Sequence, residues 1–173
     1  MRRTMCAIVE TPRLRLRELT VDDAGFILEL VNDPSFLTNI GDKGVRDLAD
    51  AKEFILTGPW KHKQPPGYGQ FLVELKPHGT PIGVCGLLFR EALGLTDVGM
   101  ALMPDHCRCG YGYEAASAVL EYGHTTLGVE AIVGLTSKKN IASIRLLGKL
   151  GMTFEKMVKM TDDDPGTALY SSV

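Results

Sequence analysis

Residues 13–18 alternate as Arg-Leu-Arg-Leu-Arg-Glu, and this period of two predicts a half-buried strand with Leu14 and Leu16 inward and the arginines facing water. Thr20 and Asp23 form a capping-box pattern with Asp in place of Glu, after which Ala24, Ile27, Leu28 and Val31 recur at helical spacing. The helix they predict runs to about Asn32 and stops before Asp33-Pro34. Val45, Leu48, Ala49, Phe54, Ile55 and Leu56 predict a second helix that ends at Gly58-Pro59. From Gly58 to Gly69, turn-forming residues surround Trp60 and Tyr68, an exposed-looking loop suited to flank a binding site. Phe71–Leu75, Pro81–Phe89 and Leu95–Leu102 then predict three strands whose short connections favour antiparallel pairing.

Beyond Pro104 the period lengthens. Ala115, Ala116, Val119, Leu120 and Leu127 make a helical stripe, and Ala131–Leu135 is a buried strand. Asn140 opens a helix with Ile141, Ile144, Leu147 and Leu150 inward, and Gly151 is placed as its left-handed cap. Phe154–Met160 and Thr167–Tyr170 form a final hairpin around Asp164-Pro165-Gly166.

With 173 residues, 45% of them hydrophobic, the chain can bury the core of one domain spanning residues 1–173, which excludes disordered, collagen-like and coiled-coil classes. A net charge of −2 gives no electrostatic case for a nucleic-acid or membrane-surface partner. Apolar runs break well before the roughly 18 residues of a membrane span, and Met1–Glu10 does not resemble a signal peptide. Four scattered cysteines, with Cys85 inside an apolar run, fit a reducing compartment, so the expected location is the cytoplasm.

The most informative segment is Cys107-Arg108-Cys109-Gly110-Tyr111-Gly112-Tyr113-Glu114-Ala115, between the end of a strand and the start of a helix. Its two glycines let backbone approach a ligand closely. Main-chain N–H groups from Arg108 to Tyr113, the helix dipole and the Arg108 charge together suit a diphosphate. Gly110 to Ala115 also satisfies G-x-G-x-x-A, the dinucleotide fingerprint, with Glu130 about 20 residues on. Glu130, however, precedes the next apolar run instead of ending it, which is adverse to NAD. His106, Cys107 and Cys109 offer no second ligand pair at zinc spacing, so no metal is expected. A thiol near a helix N-terminus tends toward a lowered pKa, but no His-plus-carboxylate pattern accompanies it. His62 and His78 lie in Pro/Gly-rich loops without an assigned role.

Four segments in order resemble the GNAT (Gcn5-related) N-acetyltransferase superfamily. Thr11–Thr20 with Asp22-Asp23-Ala24 is similar to the opening of the branch that includes the enzymes acetylating ribosomal-protein N-termini. Asp97–Leu102 with Pro104 resembles the family's splayed fourth strand, and Cys107–Gly112 its Q/R-x-x-G-x-G/A pyrophosphate loop. Asn140–Met152 resembles its N-x-x-[AS]-x-x-[LV]-x-x-K-x-G-F segment. The resemblance implies an α/β fold, a mixed twisted sheet of about six or seven strands flanked by about four helices. It also implies acetyl-CoA as cosubstrate, attacked directly by a primary amine of a protein N-terminus or a small molecule.

In that frame Cys107, Arg108, Cys109, Gly110, Tyr111, Gly112 and Tyr113 cradle the diphosphate, backbone at Ala101 and Leu102 engages the pantetheine, and Asn140 and Ser143 contact CoA. Asp97 stands where the family often has a catalytic Glu, although an ordinary Asp, with a pKa of about 3.9, is a weak base unless burial raises it. Ser143 is the candidate acid. Leu147 replaces a Tyr that protonates the leaving thiolate in many members, and Met152 replaces an aromatic. A non-catalytic acyl-CoA-binding module and a nicotinamide-dependent oxidoreductase stay open as alternatives, and so does a homodimer.

Overall fold

A computed structural model of the chain describes residues 6–60 and 65–172; Met1–Met5 and His62 fall outside them. Eight strands form one sheet: β1 (Val9–Glu10), β2 (Leu14–Arg17), β3 (Gly69–Leu75), β4 (Thr80–Arg90), β5 (Leu95–Leu102), β6 (Ile132–Thr136), β7 (Thr153–Val158) and β8 (Thr167–Ser171). Their spatial order is β1-β2-β3-β4-β5-β6-β8-β7. Every adjacent pair is antiparallel except β5 and β6. The helices are α1 (Ala24–Asn32), α2 (Pro34–Asn39), α3 (Leu48–Thr57), α4 (Tyr111–Thr125) and α5 (Ile141–Lys149). None of the described helices is long and apolar enough to cross a membrane.

Alternation within the strands builds two cores, one on each face. Leu72 and Val84 point to α1–α3 and pack with Ile27, Leu30, Phe36, Ala51 and Ile55. Leu14, Leu16, Phe71, Val73, Cys85 and Leu87 point the other way, onto Ala115, Ala116 and Val119 of α4. Burial drives the Cys85 thiol up to about 12, as expected of an inert core cysteine.

The structure exceeds the expected element count in two places. Asp33-Pro34 does end α1, but the Asp33 side chain accepts from the Ser35 N–H and Pro34 occupies the first turn, so a new helix starts at once. β1 is two residues long, too short for periodicity to reveal. Two local expectations need correction. Trp60 is only 8% exposed, packed edge-on against Phe54 at 4.9 Å and Phe36 at 6.3 Å, because α3 delivers it into the core beside α2. The arginines of β2 are not simply in water: Arg15 pairs with Glu10 and Glu74, and Arg17 with Asp23 and the buried Glu74.

The end of α5 follows the sequence closely. Gly151 adopts φ +83°, the Met152 N–H donates to the Leu147 carbonyl at 3.0 Å, and the Gly151 N–H donates to Gly148 at 3.0 Å. Met152 and Leu147 pack together in a third cluster. This is a Schellman closure with its hydrophobic contact. Leu147 is buried over Gly134 of β6, where a Cβ would lie 2.3 Å from its Cδ2.

Close strand packing also requires Gly86, since a Cβ there would sit 1.8 Å from the Gly69 carbonyl oxygen. Gly86→Ala forces β3 and β4 apart and is expected to cost about 1–3 kcal/mol of stability, as overpacking does. A lowered thermal-melting midpoint measures it; an unchanged midpoint contradicts this packing.

Candidate active site

β5 and β6 pair only at Thr96 with Ile132 and Asp97 with Val133. Both strands run the same way, so from Val98 onward β5 has no partner strand on this side, and the sheet opens toward their C-terminal ends. A 3-10 turn, Pro104–His106, carries the chain from the end of β5 to the start of α4. The N-terminus of α4 therefore lies at the mouth of the gap. Glu130 lies before β6, away from that mouth, which removes the geometry an NAD ribose contact requires.

The loop before α4 is held in an unusual conformation. Arg108 has φ +62° and Gly110 has φ +83°. The first helical bond is from the Glu114 N–H to the Gly110 carbonyl, at 3.1 Å, so the N–H groups of Tyr111, Gly112 and Tyr113 have no intrahelical partner. Three main-chain donors thus stand together at the start of α4, and the two glycines beside them have different tasks. Gly110 supplies the left-handed backbone. At Gly112 a Cβ would meet Met100 Cε at 3.0 Å, so this glycine lets α4 pack closely on β5 and is not primarily a ligand approach.

Arg13 braces this loop, and nothing in the strand pattern pointed to it. Its guanidinium donates to Glu114 at 2.6 Å and to the Cys109 carbonyl at 3.0 Å, and lies 4.5 Å from the centroid of the Tyr111 ring. The Arg13 N–H and the Thr11 hydroxyl donate to the other Glu114 oxygen. Burial pushes the Glu114 carboxyl up, but these hydrogen bonds together outweigh it and hold the group below the usual carboxylate range. Cys107 and Cys109 are free and exposed. Partial desolvation raises the Cys107 thiol, and neighbouring Cys109 adds to this, the opposite of the lowering that a helix start favours.

A cleft of about 860 Å³ runs from the β5–β6 gap to the face of the sheet covered by α1–α3. Asp97, Ala101, Leu102, Cys107, Asn140 and Ser143 line it together, whereas Arg108, Cys109, Gly110, Tyr111, Gly112 and Tyr113 lie outside its lining, at the loop. Asn140 caps α5, its Oδ1 accepting from the Ser143 N–H at 3.2 Å. Its far side is closed by α2, Pro59-Trp60 and the Asp164–Thr167 turn.

Asp97 is 2% exposed. Burial raises its carboxyl, and Arg90, which donates from Nη2 to Oδ2 at 3.2 Å, opposes the shift without cancelling it. Asp97 Oδ1 has no hydrogen-bond partner among the described residues, nor do Gln70 Oε1 and Arg90 Nε. Sequence reading passed over Gln70 and Arg90, although isolated glycines inside strands, Gly86 and Gly99, were an available sign of close approach.

Comparison with known proteins matches residues 13–153 to the acetyltransferase (GNAT) domain model. The YkkB protein of Bacillus subtilis is 30% identical over 154 residues, 86% of this chain and 87% of that protein. The uncharacterized N-acetyltransferase YoaA of the same organism is 27% identical over 170 residues, 98% of this chain and 96% of its own length. RimL, a ribosomal L7/L12 α-N-protein acetyltransferase solved with coenzyme A, shares the fold at a TM-score of 0.79 and 16% identity, with 96% of this chain and 97% of RimL covered.

Proposed function

Because this chain belongs to the GNAT acetyltransferase family, we propose that it acts as a single domain that transfers the acetyl group of acetyl-CoA to a primary amine by direct attack. The acceptor is a protein N-terminus or a small-molecule amine, and RimL's printed activity supports the first of these. One observation carries the reading: the gap between β5 and β6 opens into the same cleft that holds the buried Asp97.

Acetyl-CoA supplies an activated thioester; the acceptor gains an N–C bond, the C–S bond breaks, the amine loses a proton and the sulfur takes one. The α4 N-terminus, braced by Arg13, holds the diphosphate, and β5 at Ala101 and Leu102, paired with β4 but with no partner strand on its β6 side, aligns the pantetheine. Asp97 takes the proton from the amine, a task its raised pKa suits better than an ordinary Asp. Leu147 can donate nothing; Ser143, lining the same cleft, supplies the hydroxyl on the sulfur side. We place the chain in the cytoplasm, a setting that its free cysteines support.

Release of free thiol from acetyl-CoA on adding an amine panel tests the reading. Leu147 in place of a proton donor favours one alternative, a non-catalytic acyl-CoA-binding module, and acetyl-CoA binding without thiol release would establish it. Arg13→Ala is expected to weaken acetyl-CoA binding about tenfold, as loss of a charge-assisted brace of about 1.4 kcal/mol does. Calorimetric titration measures this, and unchanged affinity contradicts the bracing role.

A further inference from the structure

Gln70 on β3, Gly86 and Arg90 on β4, and Asp97 and Gly99 on β5 all lie on the α1–α3 face of the sheet. Their positions alternate in step with Leu72, Val84 and Ala101, which pack into that core. Gln70 pairs with Gly86, and Gly86 with Gly99. A Cβ at Gly99 would come within 2.3 Å of Gln70 Nε2, so the Gln70 side chain crosses the bare backbone of β4 and rests its carboxamide over β5, two residues from Asp97. Gln70 is 7% exposed, and the unpartnered Gln70 Oε1 and Asp97 Oδ1 are both hydrogen-bond acceptors. A pair of buried, unpartnered acceptors in one cleft suits a ligand group that carries several N–H donors, as an amine does.

Charges of both signs lie beside them. Among the described residues, five charged side chains line the cleft: Asp33, Lys43, Arg90, Asp97 and Asp164. Two of the carboxylates are occupied, Asp33 by the start of α2, and Asp164 by the N–H groups of Met160 and Gly166 and the Thr167 hydroxyl. Asp97 answers one guanidinium N–H of Arg90, whose buried Nε has no partner. Lys43, an exposed residue at the rim of the cleft, has no carboxylate within ion-pair distance among the described residues; partial desolvation against the cleft wall, and next the charge of Arg90, push its ammonium down. Lys43 and Arg90 line the same cleft and their charges repel, and the one carboxylate there that is not taken up by backbone or hydroxyl donors, Asp97, pairs with Arg90.

We propose that the acceptor is a small amine that also carries an oxyanion, a carboxylate or a phosphate, its amine taken by Gln70 and Asp97 and its oxyanion by Lys43 and Arg90. This rests on the acetyltransferase reading above. It places discrimination in Lys43 and Arg90: a polyamine would bring a second cation against two that already repel, whereas an oxyanion satisfies the unpartnered Arg90 Nε–H and the Lys43 ammonium.

The test measures thiol release by the full chain on matched acceptors. These are L-amino acids with their primary amides and decarboxylated amines, aminoalkyl phosphates with the parent amino alcohols, spermidine, and short peptides with neutral N-terminal residues. At least one oxyanion-bearing acceptor is expected to exceed its neutral partner about 100-fold in kcat/KM, and whether it is a carboxylate or a phosphate identifies the source. Lys43→Gln is expected to narrow that ratio about tenfold through KM, and Lys43→Arg to restore it. Turnover confined to neutral amines, spermidine or peptides overturns the inference and leaves the acetyltransferase reading standing, as does a ratio that Lys43→Gln leaves intact. Failure of every acceptor while acetyl-CoA still binds overturns both.

Discussion

Gly110→Glu is expected to weaken acetyl-CoA binding at least 100-fold while the chain stays folded. Gly110 combines two roles, a left-handed backbone at φ +83° and the N-cap of α4. A Cβ there would lie 3.1 Å from Arg13 Nη2, so a glutamate side chain would grow beside the brace and next to the free N–H groups of the first turn. Its carboxylate would compete for those donors and repel the diphosphate, a like-charge contact that costs several kcal/mol. The left-handed conformation adds a strain of about 1–2 kcal/mol, which lowers the melting temperature by a few degrees without unfolding the domain. Gly110→Ala separates the two effects: it carries the strain without the charge and should keep acetyl-CoA affinity within about tenfold. Calorimetry and thermal melts on both variants give the comparison, and a folded Gly110→Glu chain with native affinity would remove the cradle assignment.

Asp97→Asn is expected to lower kcat about 100-fold, within the usual contribution of a general base, and to erase the acidic limb of the pH–rate profile. The same substitution is expected to raise thermal stability at neutral pH. Burial lifts the Asp97 carboxyl, more than Arg90 lowers it, so the native state holds this proton to a higher pH than the unfolded chain does. Stability from this group is then intact in acid and falls as pH rises through the native pKa. Asparagine has no such loss and still offers an oxygen to Arg90, so the gain in melting temperature should grow from acid toward neutral pH. A buried acid that costs stability and is kept for activity is a familiar exchange. Reduced activity with no stability gain would show that Arg90 fully compensates the charge; an unchanged pH profile would leave Asp97 a structural residue.

What sequence made legible was local. Period-two and helical stripes located the long strands, α4 and α5, and Gly151 and Asn140 cap α5 as their chemistry demands. Asp33-Pro34 shows the limit: the same dipeptide that stops one helix starts another, because Asp is a good N-cap and Pro a good first residue. The site was legible where a motif borrowed meaning from a family and illegible where it depended on register. That Gln70 reaches Gly99 follows from the pairing of three strands. That Arg13 holds Glu114 joins residues 101 positions apart. Neither leaves a trace in spacing along the chain. Leu147, by contrast, stood out as a departure, and the structure supplies a physical role for it, packing over Gly134.

Acetyl-CoA recognition is the central claim, and isothermal titration of the purified chain with acetyl-CoA, with NAD in parallel, tests it most directly. A dissociation constant in the micromolar range for acetyl-CoA, about −8 kcal/mol, with no heat from NAD is the predicted result. A folded chain that binds no acetyl-CoA, or that binds NAD instead, would contradict it.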